Sequence, residues 1–428
     1  MLEKSDLRIG MARLTDGIVF AIAKEMGAFE RQGLNVSLSR HDSWAAIRDQ
    51  LALGDLDAAH MLSPMVAGSA AGLGPFPHIF ATAFAINLNG NAITVSNSLY
   101  EQMCEAAPET MSRRPLSAKA LKRVVEARAA AGGAPLSFAT VYPFSMHAYE
   151  LRYWMGAAGI DPDRDLSLSI IPPGQMVDSL AAGVIDGYCV GEPWNNTAVS
   201  AGLGRTLITS SEIWSNSPEK VLGVRKDWAE RYPNTHQALL RALLEAAAWV
   251  DKPENRIAAA QIAAKPQYVG APFDEIVGSL TGENRQTAGD ARVDMPDFNV
   301  FYRYAANFPW RSHAKWIMAQ MIRWGQAPAD LDIDAAAKEA FRPDLFRIAA
   351  EEMDAPCPKI DEKIEGAHVH SWALEEATRP IAFGPDRFLD GRRFDPADIE
   401  GYLLGFDTPE RRINGAAKVV PIVKSATA

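Results

Sequence analysis

Apolar and polar positions alternate along the first hundred residues in a way that predicts short strands separated by helices. Leu7-Arg8-Ile9-Gly10-Met11 reads as a short strand. Thr15-Asp16 then offers a helix N-cap, and Ile18, Phe20, Ala21, Ala23 and Met26 recur at helical spacing until Gly27. Leu34-Asn35-Val36-Ser37-Leu38 alternates as a second strand. Ser43 is placed to cap a helix through Trp44, Ile47 and Leu51, closed by Gly54. Asp57 to Leu62 is a third strand, ended by Ser63-Pro64. Strand–helix alternation with short joints predicts a parallel sheet covered by helices. Ligands of such sheets bind beyond the carboxyl ends of the strands, where Thr15, Trp44 and Ser63 fall.

A second unit is expected to begin near Leu99. A basic, alanine-rich helical segment from Ser112 to Gly133 precedes a strand at Ser137 to Val141. A helix from His147 to Met155, a strand from Leu166 to Ile171, a helix from Gln175 to Ala182 and a strand from Ile185 to Val190 follow. Leu207-Ile208 and Val221 to Val224 are expected as strands that return to the first lobe. Helical spacing then dominates: His236 to Val250, Asp274 onward, Trp316 to Trp324 and Ala335 to Ala340, with Met318 and Met321 read as ordinary helix-face packing. The expected organisation is an α/β protein of two lobes with a ligand cleft between them. Lobe I takes 1–97 plus 206–356, lobe II takes 98–205, and 357–428 is an appendage packing on lobe I.

Composition narrows the function by exclusion. A formal net charge of -10 argues against direct nucleic-acid binding. No run approaches the ~20 apolar residues of a membrane span, so no membrane partner is expected. Cys104, Cys189 and Cys357 are odd in number and widely spaced, which suggests neither a disulfide framework nor a zinc cluster. Met1 is followed by Leu2-Glu3-Lys4-Ser5-Asp6, without the basic and apolar stretches of a secretory leader, and the expectation is a cytoplasmic protein. No phosphate loop, dinucleotide fingerprint, zinc-protease helix or nucleophile elbow is present. His368-Val369-His370 lacks a third ligand in register and reads as a solvent loop. No cofactor, metal or enzymatic activity is expected.

Several segments, taken in order, carry a family resemblance. They are Leu14-Thr15-Asp16, Ser43-Trp44 with Arg48-Asp49, Leu88 to Thr94, and His147 with Leu151-Arg152-Tyr153-Trp154. Gly191-Glu192-Pro193-Trp194, Pro218 to Gly223, Trp310 to His313 and Arg323-Trp324-Gly325 complete the set, which spans about three quarters of the chain. In this the chain resembles the nitrate-binding branch of the type II periplasmic-binding-protein fold, the NrtA/CmpA-type solute-binding proteins of ATP-driven importers. The absence of a leader in the sequence makes it most similar to the NasS-type cytoplasmic sensors, whose partner is a NasT-like RNA-binding antiterminator.

The resemblance implies nitrate or nitrite as ligand and maps the family's contacts onto Trp44, His147 and Lys220. Asn91 and Ser63 are further candidates, while Glu192 and Trp194 are expected as structural groups near the cleft or hinge. A planar monoanion suits such a set: in-plane donors, a flat apolar cover and one positive charge. In the bicarbonate relatives an acidic residue replaces the lysine and recruits a metal, so Lys220 argues for nitrate without one. Each residue also has a plain structural reading: Trp44 as packing, His147 as a local cap, Lys220 as a solvated lysine beside Glu219. Three functions remain open: a cytoplasmic sensor, the solute-binding subunit of a nitrate importer, and an enzyme built on the same fold.

Overall fold

The computed structural model describes residues 1–284 and 293–406. In the first lobe the strand–helix repeat folds as the alternation predicts. The elements are β1 (Asp6–Ala12), α1 (Ile18–Glu25), β2 (Asn35–His41), α2 (Trp44–Leu53), β3 (Ala58–Leu62), α3 (Ser63–Ala70) and β4 (Phe80–Ala81). β1 pairs in parallel with both β2 and β3. The second lobe contains β5 (Asn91–Ser96), β6 (Ser137–Thr140), α4 (Met146–Ala157), β7 (Ser167–Ile170), β8 (Gly187–Gly191), α5 (Trp194–Ser200) and β9 (Gly204–Thr209). The chain then returns through β10 (Lys220–Arg225) to α6 (Pro233–Val250) and α7 (Arg311–Arg323).

The first sheet has the order β2-β1-β3-β10-β4 and the second β9-β5-β8-β6-β7. In each sheet three parallel strands are joined by an antiparallel one that has just crossed from the other lobe. β10 runs antiparallel to β3, and β5 runs antiparallel to β8. This is the two-lobed, type II periplasmic-binding-protein architecture, and it places both crossovers beside the carboxyl ends of β1, β3 and β8. α1 and α6 bury Phe20, Ile22, Leu239 and Leu243 against one face of the first sheet. A second apolar cluster joins the other face, through Trp44, Ile47 and Val66, to the lobe II core of Phe138, Tyr149, Trp154 and Tyr188. Met318 and Met321 of α7 are buried in that cluster, as their helix-face spacing implied.

Three expectations need correction. β5 and β9 pair with each other in the second sheet, so the crossovers lie near residues 89–91 and 210–219, not at 97/98 and 205/206. Leu207 and Ile208 accordingly belong to lobe II. A strand's alternation shows which face is buried but not which sheet it joins. The local sign of the first switch is Asn89 and Gly90, both with positive φ (63° and 97°). A Cβ on Gly90 would sit 2.2 Å from Asn299 Oδ1, so glycine is required there for both conformation and space.

Second, Thr15 does not cap α1: it opens a 3-10 turn, Thr15–Gly17, and makes no side-chain cap. Ser43 and Ser145 do cap, accepting from Ala46 N at 3.4 Å and Ala148 N at 3.1 Å. Third, the appendage does not rest on lobe I alone, and residues 407–428 of it lie outside the described residues. Its strand pair, Trp372–Leu374 with Ile381–Phe383, packs on lobe I through Trp310. The following turn grips the second crossover: Trp214 Nε1 donates to Asp386 Oδ1 at 3.0 Å, and Leu389 N donates to Ile213 O at 2.7 Å. It also reaches lobe II, where Tyr153 OH donates to Asp390 Oδ1 at 2.8 Å. Aromatic residues without a helical or strand period gave no direction for this packing.

Gly90→Ala is expected to lower stability by about 2–4 kcal/mol, from strain plus displacement of the buried Asn299 side chain. Gly72→Ala, at φ 73° with open space around it, should cost about 1 kcal/mol. Thermal unfolding of the two variants checks this, and equal losses would contradict the crossover assignment.

Candidate functional site

The strand ends and both crossovers converge on one buried cluster. From lobe I come Thr15 and Asp16 in the turn after β1, His60 in the middle of β3, Ser63 at the start of α3, and Trp44 as the first residue of α2. Lys220 opens β10 opposite Leu62, and just before it the Glu219 carbonyl accepts from Ser63 N at 3.3 Å. From lobe II come Asn91 at the start of β5 and His147 and Glu150 on the first turns of α4. The carbonyl of Glu192, just beyond β8, accepts from Thr15 N at 2.8 Å and ties the lobes together here. Every one of these side chains is buried.

Lys220 is the centre. Its ammonium contacts Asp16 Oδ2 at 3.0 Å and Glu219 Oε2, and stands 5.5 Å from the centroid of the Trp44 ring. It is not solvated, and it is not an unopposed charge: two carboxylates already face it. Asp16 Oδ1 lies 3.2 Å from His60 Nε2, and the His60 ring meets the Trp44 ring edge-on at 5.3 Å. Asn91 Nδ2 donates to Glu219 Oε1 and to Glu150 Oε2, each at 3.0 Å. Ser217 Oγ donates to Glu150 Oε1 at 2.9 Å. His147 Nδ1 has Glu219 Oε1 at 3.8 Å, too far for a hydrogen bond.

The structure therefore brings Trp44, Ser63, Asn91, His147 and Lys220 into one neighbourhood. Within it, Thr15 Oγ1, Trp44 Nε1, Ser63 Oγ, Asn91 Oδ1 and both ring nitrogens of His147 have no protein hydrogen-bond partner. Buried polar atoms are almost always paired, and such a concentration of unpaired ones is the mark of a polar ligand site. His147 is not the cap of α4, since Ser145 fills that role.

Glu192 and Trp194 lie at the edge of the cluster. The Glu192 carboxylate accepts from Asn196 N, in the first turn of α5, at 3.1 Å, while its backbone N–H reaches Gly90 O at the first crossover. Trp194 is covered by the Arg13 guanidinium, 5.6 Å from its ring. Sequence did not mark Asp16, His60 or Glu150 as site residues. The available signal was a polar residue inside an otherwise apolar strand, Ala58-Ala59-His60-Met61-Leu62, and a carboxylate on the buried face of α4.

Comparison with known proteins gives the family. The NMT1-like family pattern matches residues 1–264. The nitrate/nitrite binding protein NrtA of Synechococcus elongatus is 34% identical over 94% of this chain and 86% of its own length. The chain belongs to the NMT1-like family, among its NrtA-type members. This is a family of solute-binding proteins, not of enzymes. The nitrate import ATP-binding protein NrtC of Synechocystis sp. is 37% identical over 95% of this chain, which spans 56% of that relative's length. The crystal structure of the periplasmic nitrate-binding protein NrtA from Synechocystis PCC 6803 superposes with a TM-score of 0.82 at 29% identity, covering 95% of this chain and 99% of that one. The ligand-binding component of an import system from Staphylococcus aureus, at 15% identity and a TM-score of 0.61, shares the fold.

Charge in this cluster is set by burial working against close partners. Burial would raise the Asp16 carboxyl, but Lys220 and then His60 outweigh it and hold it well below the usual carboxylate range. Burial would lower Lys220, and Asp16 and Glu219 together keep it above its ordinary value. Burial, followed by the charge of Lys220, keeps the His147 imidazole well below its usual range, so the ring is neutral with one donor and one acceptor. Glu150 is pushed to about 8 by burial and by Glu219. Glu192 is pushed to about 8 mainly by burial.

The sign of the pH dependence follows. The folded protein keeps protons on Glu150 and Glu192 that the unfolded chain releases above an ordinary 4.5. Their contribution is complete below that value and is lost as pH rises toward 8. Asp16 acts in the opposite sense, its contribution being lost only in acid. The thermal midpoint is expected to fall between about pH 6 and pH 8.5, with a shallower slope in Glu192→Gln. A midpoint that rises over this interval would contradict these protonation states.

Proposed function

We propose that this protein binds nitrate or nitrite between its lobes and acts as a cytoplasmic sensor that releases a NasT-like RNA-binding antiterminator when the anion is bound. The observation that carries the ligand is the group of unpaired donors, Trp44 Nε1, His147 and Ser63 Oγ, gathered around Lys220. A flat indole, a neutral imidazole that can donate, a hydroxyl and an ammonium match a planar oxyanion of single charge. The names of NrtA and NrtC support the same ligand.

The sensing role draws support from identity. This chain is 37% identical to part of the ATP-binding NrtC, against 30% and 34% for the NrtA proteins of Nostoc and Synechococcus elongatus. An ATP-binding subunit works where ATP is hydrolysed, so a related module can read the anion on the cytoplasmic side. Nitrate has four heavy atoms, and at ~1.5 kcal/mol per atom the ceiling is roughly 6 kcal/mol, a dissociation constant of tens of micromolar. That energy biases lobe closure only when open and closed states lie within a few kcal/mol. A second reading, the solute-binding subunit of an ATP-driven nitrate importer, is favoured by the match to 86% of the Synechococcus elongatus NrtA and the TM-score of 0.82. The same closed surface would then be read by a permease.

Calorimetric titration with nitrate, nitrite, bicarbonate and sulfate tests the ligand: nitrate or nitrite should bind, and bicarbonate and sulfate should not. Lys220→Gln should weaken nitrate at least about tenfold, a loss of ~1.4 kcal/mol or more, while Lys226→Gln at the surface should change it little. Equal losses would remove Lys220 from the site. For the role, nitrate should dissociate a preformed complex with the antiterminator. A complex indifferent to nitrate would leave the importer reading.

A further inference from the structure

The cluster holds one lysine against three carboxyl groups, and that ratio decides what must accompany an anion. Asp16 and Glu219 both contact Lys220. Glu219 turns its other oxygen to Asn91 Nδ2, which also donates to Glu150, so a single amide ties two carboxyl groups together. Asn91, Glu150, Glu219 and Lys220 are at most 2% exposed, so water does not screen them. With all three carboxyls ionised, the cluster would carry two negative charges in excess. A monoanion would add a third in a medium of low dielectric, and buried groups relieve such excess by taking up protons.

We propose that the Glu219–Asn91–Glu150 group is a proton-binding site that fills together with the anion, so that each anion enters with about one proton. This rests on the anion-binding reading above. The proton passes from a buffer acid or water to a carboxylate oxygen of Glu219 as the lobes close. Protonation removes the charge that holds Lys220 on that side. The ammonium keeps Asp16 as its counter-ion and turns a freed N–H to the anion. The groups facing Glu219 are Lys220 on its own strand, Asp16 and, behind it, His60 from lobe I, and His147, Glu150 and Cys189 from lobe II. Burial keeps both histidines on the neutral side and pushes the Cys189 thiol up, which leaves the two glutamates to take the proton. Burial, and after it the opposing pulls of Lys220 and Asp16, leave the Glu219 carboxyl at about 7, and Glu150 stands at about 8, so both exchange protons near neutrality.

Nitrate titration of the full chain near pH 8, in phosphate and in Tris, tests this, because the two buffers release a proton with different heats. The expected result is uptake of about one proton per nitrate, with Kd rising toward about tenfold per pH unit above neutrality. Glu219→Gln should abolish the uptake and flatten the pH profile. Glu150→Gln, which leaves the Glu219–Lys220 contact in place, should reduce the uptake and is read alone if the first variant does not fold. Heats that are the same in both buffers for the unaltered protein would overturn the proposal, as would full uptake in the folded variants. Absence of nitrate and nitrite binding at any pH would instead overturn the anion reading itself.

Discussion

The ammonium of Lys220, held between Asp16 and Glu219 with no access to water, is the constraint on which the rest of the cleft depends. A buried ion pair is costly to desolvate and is tolerated only when its remaining hydrogen bonds are met. Here the compensating groups come from both lobes. Asp16 and His60 lie on lobe I, while Asn91, His147 and Glu150 lie on lobe II. Lobe I supplies both direct counter-ions of Lys220, while lobe II supplies Asn91, which binds Glu219 and so completes the set. Closure and the protonation state of the site are one problem, not two.

The fold serves this arrangement through its crossovers. Each sheet accepts one antiparallel strand from the other lobe, and the first residues of those strands, Asn91 and Lys220, are the ones that reach the cluster. Positive φ at Asn89 and Gly90 turns the chain sharply enough to place Asn91 against Glu219. The appendage adds a third connection, since its 385–390 turn holds Trp214 and Ile213 in the second crossover and Tyr153 on α4. Across the mouth of the cleft, the Arg48 guanidinium of α2 donates to the hydroxyl of Tyr142, three residues before the cap of α4. These contacts join helices that carry site residues, Trp44 on α2 and His147 on α4.

Much of this was legible in the sequence. Strand–helix periodicity located the parallel repeats to within one to three residues at most ends, because Ser43, Gly54 and the apolar runs carry local signals that tertiary packing did not override. Trp44, His147 and Lys220 could be named because of ordered resemblance, Asn91 as a further candidate in one of its segments and Ser63 as one at a strand end, and the structure gathers all five. The rest was hidden for physical reasons. The lobe boundary was misplaced because a strand pattern does not say which sheet it completes. The rest of the Lys220 cluster was missed because Asp16, His60 and Glu150 are distant in sequence and look singly like a turn residue, a core histidine and a helix-face carboxylate. Only burial in one place turns them into a charge-balanced set.

The proposed place of an oxyanion of single charge is against Trp44, His147 and Lys220, between the closed lobes. A crystal structure of the protein grown with nitrate tests it most directly. The anion is expected flat beside the Trp44 indole, within hydrogen-bonding distance of Lys220 Nζ and a His147 ring nitrogen. Nitrate found elsewhere, with Lys220 still closed on both Asp16 and Glu219, would contradict it.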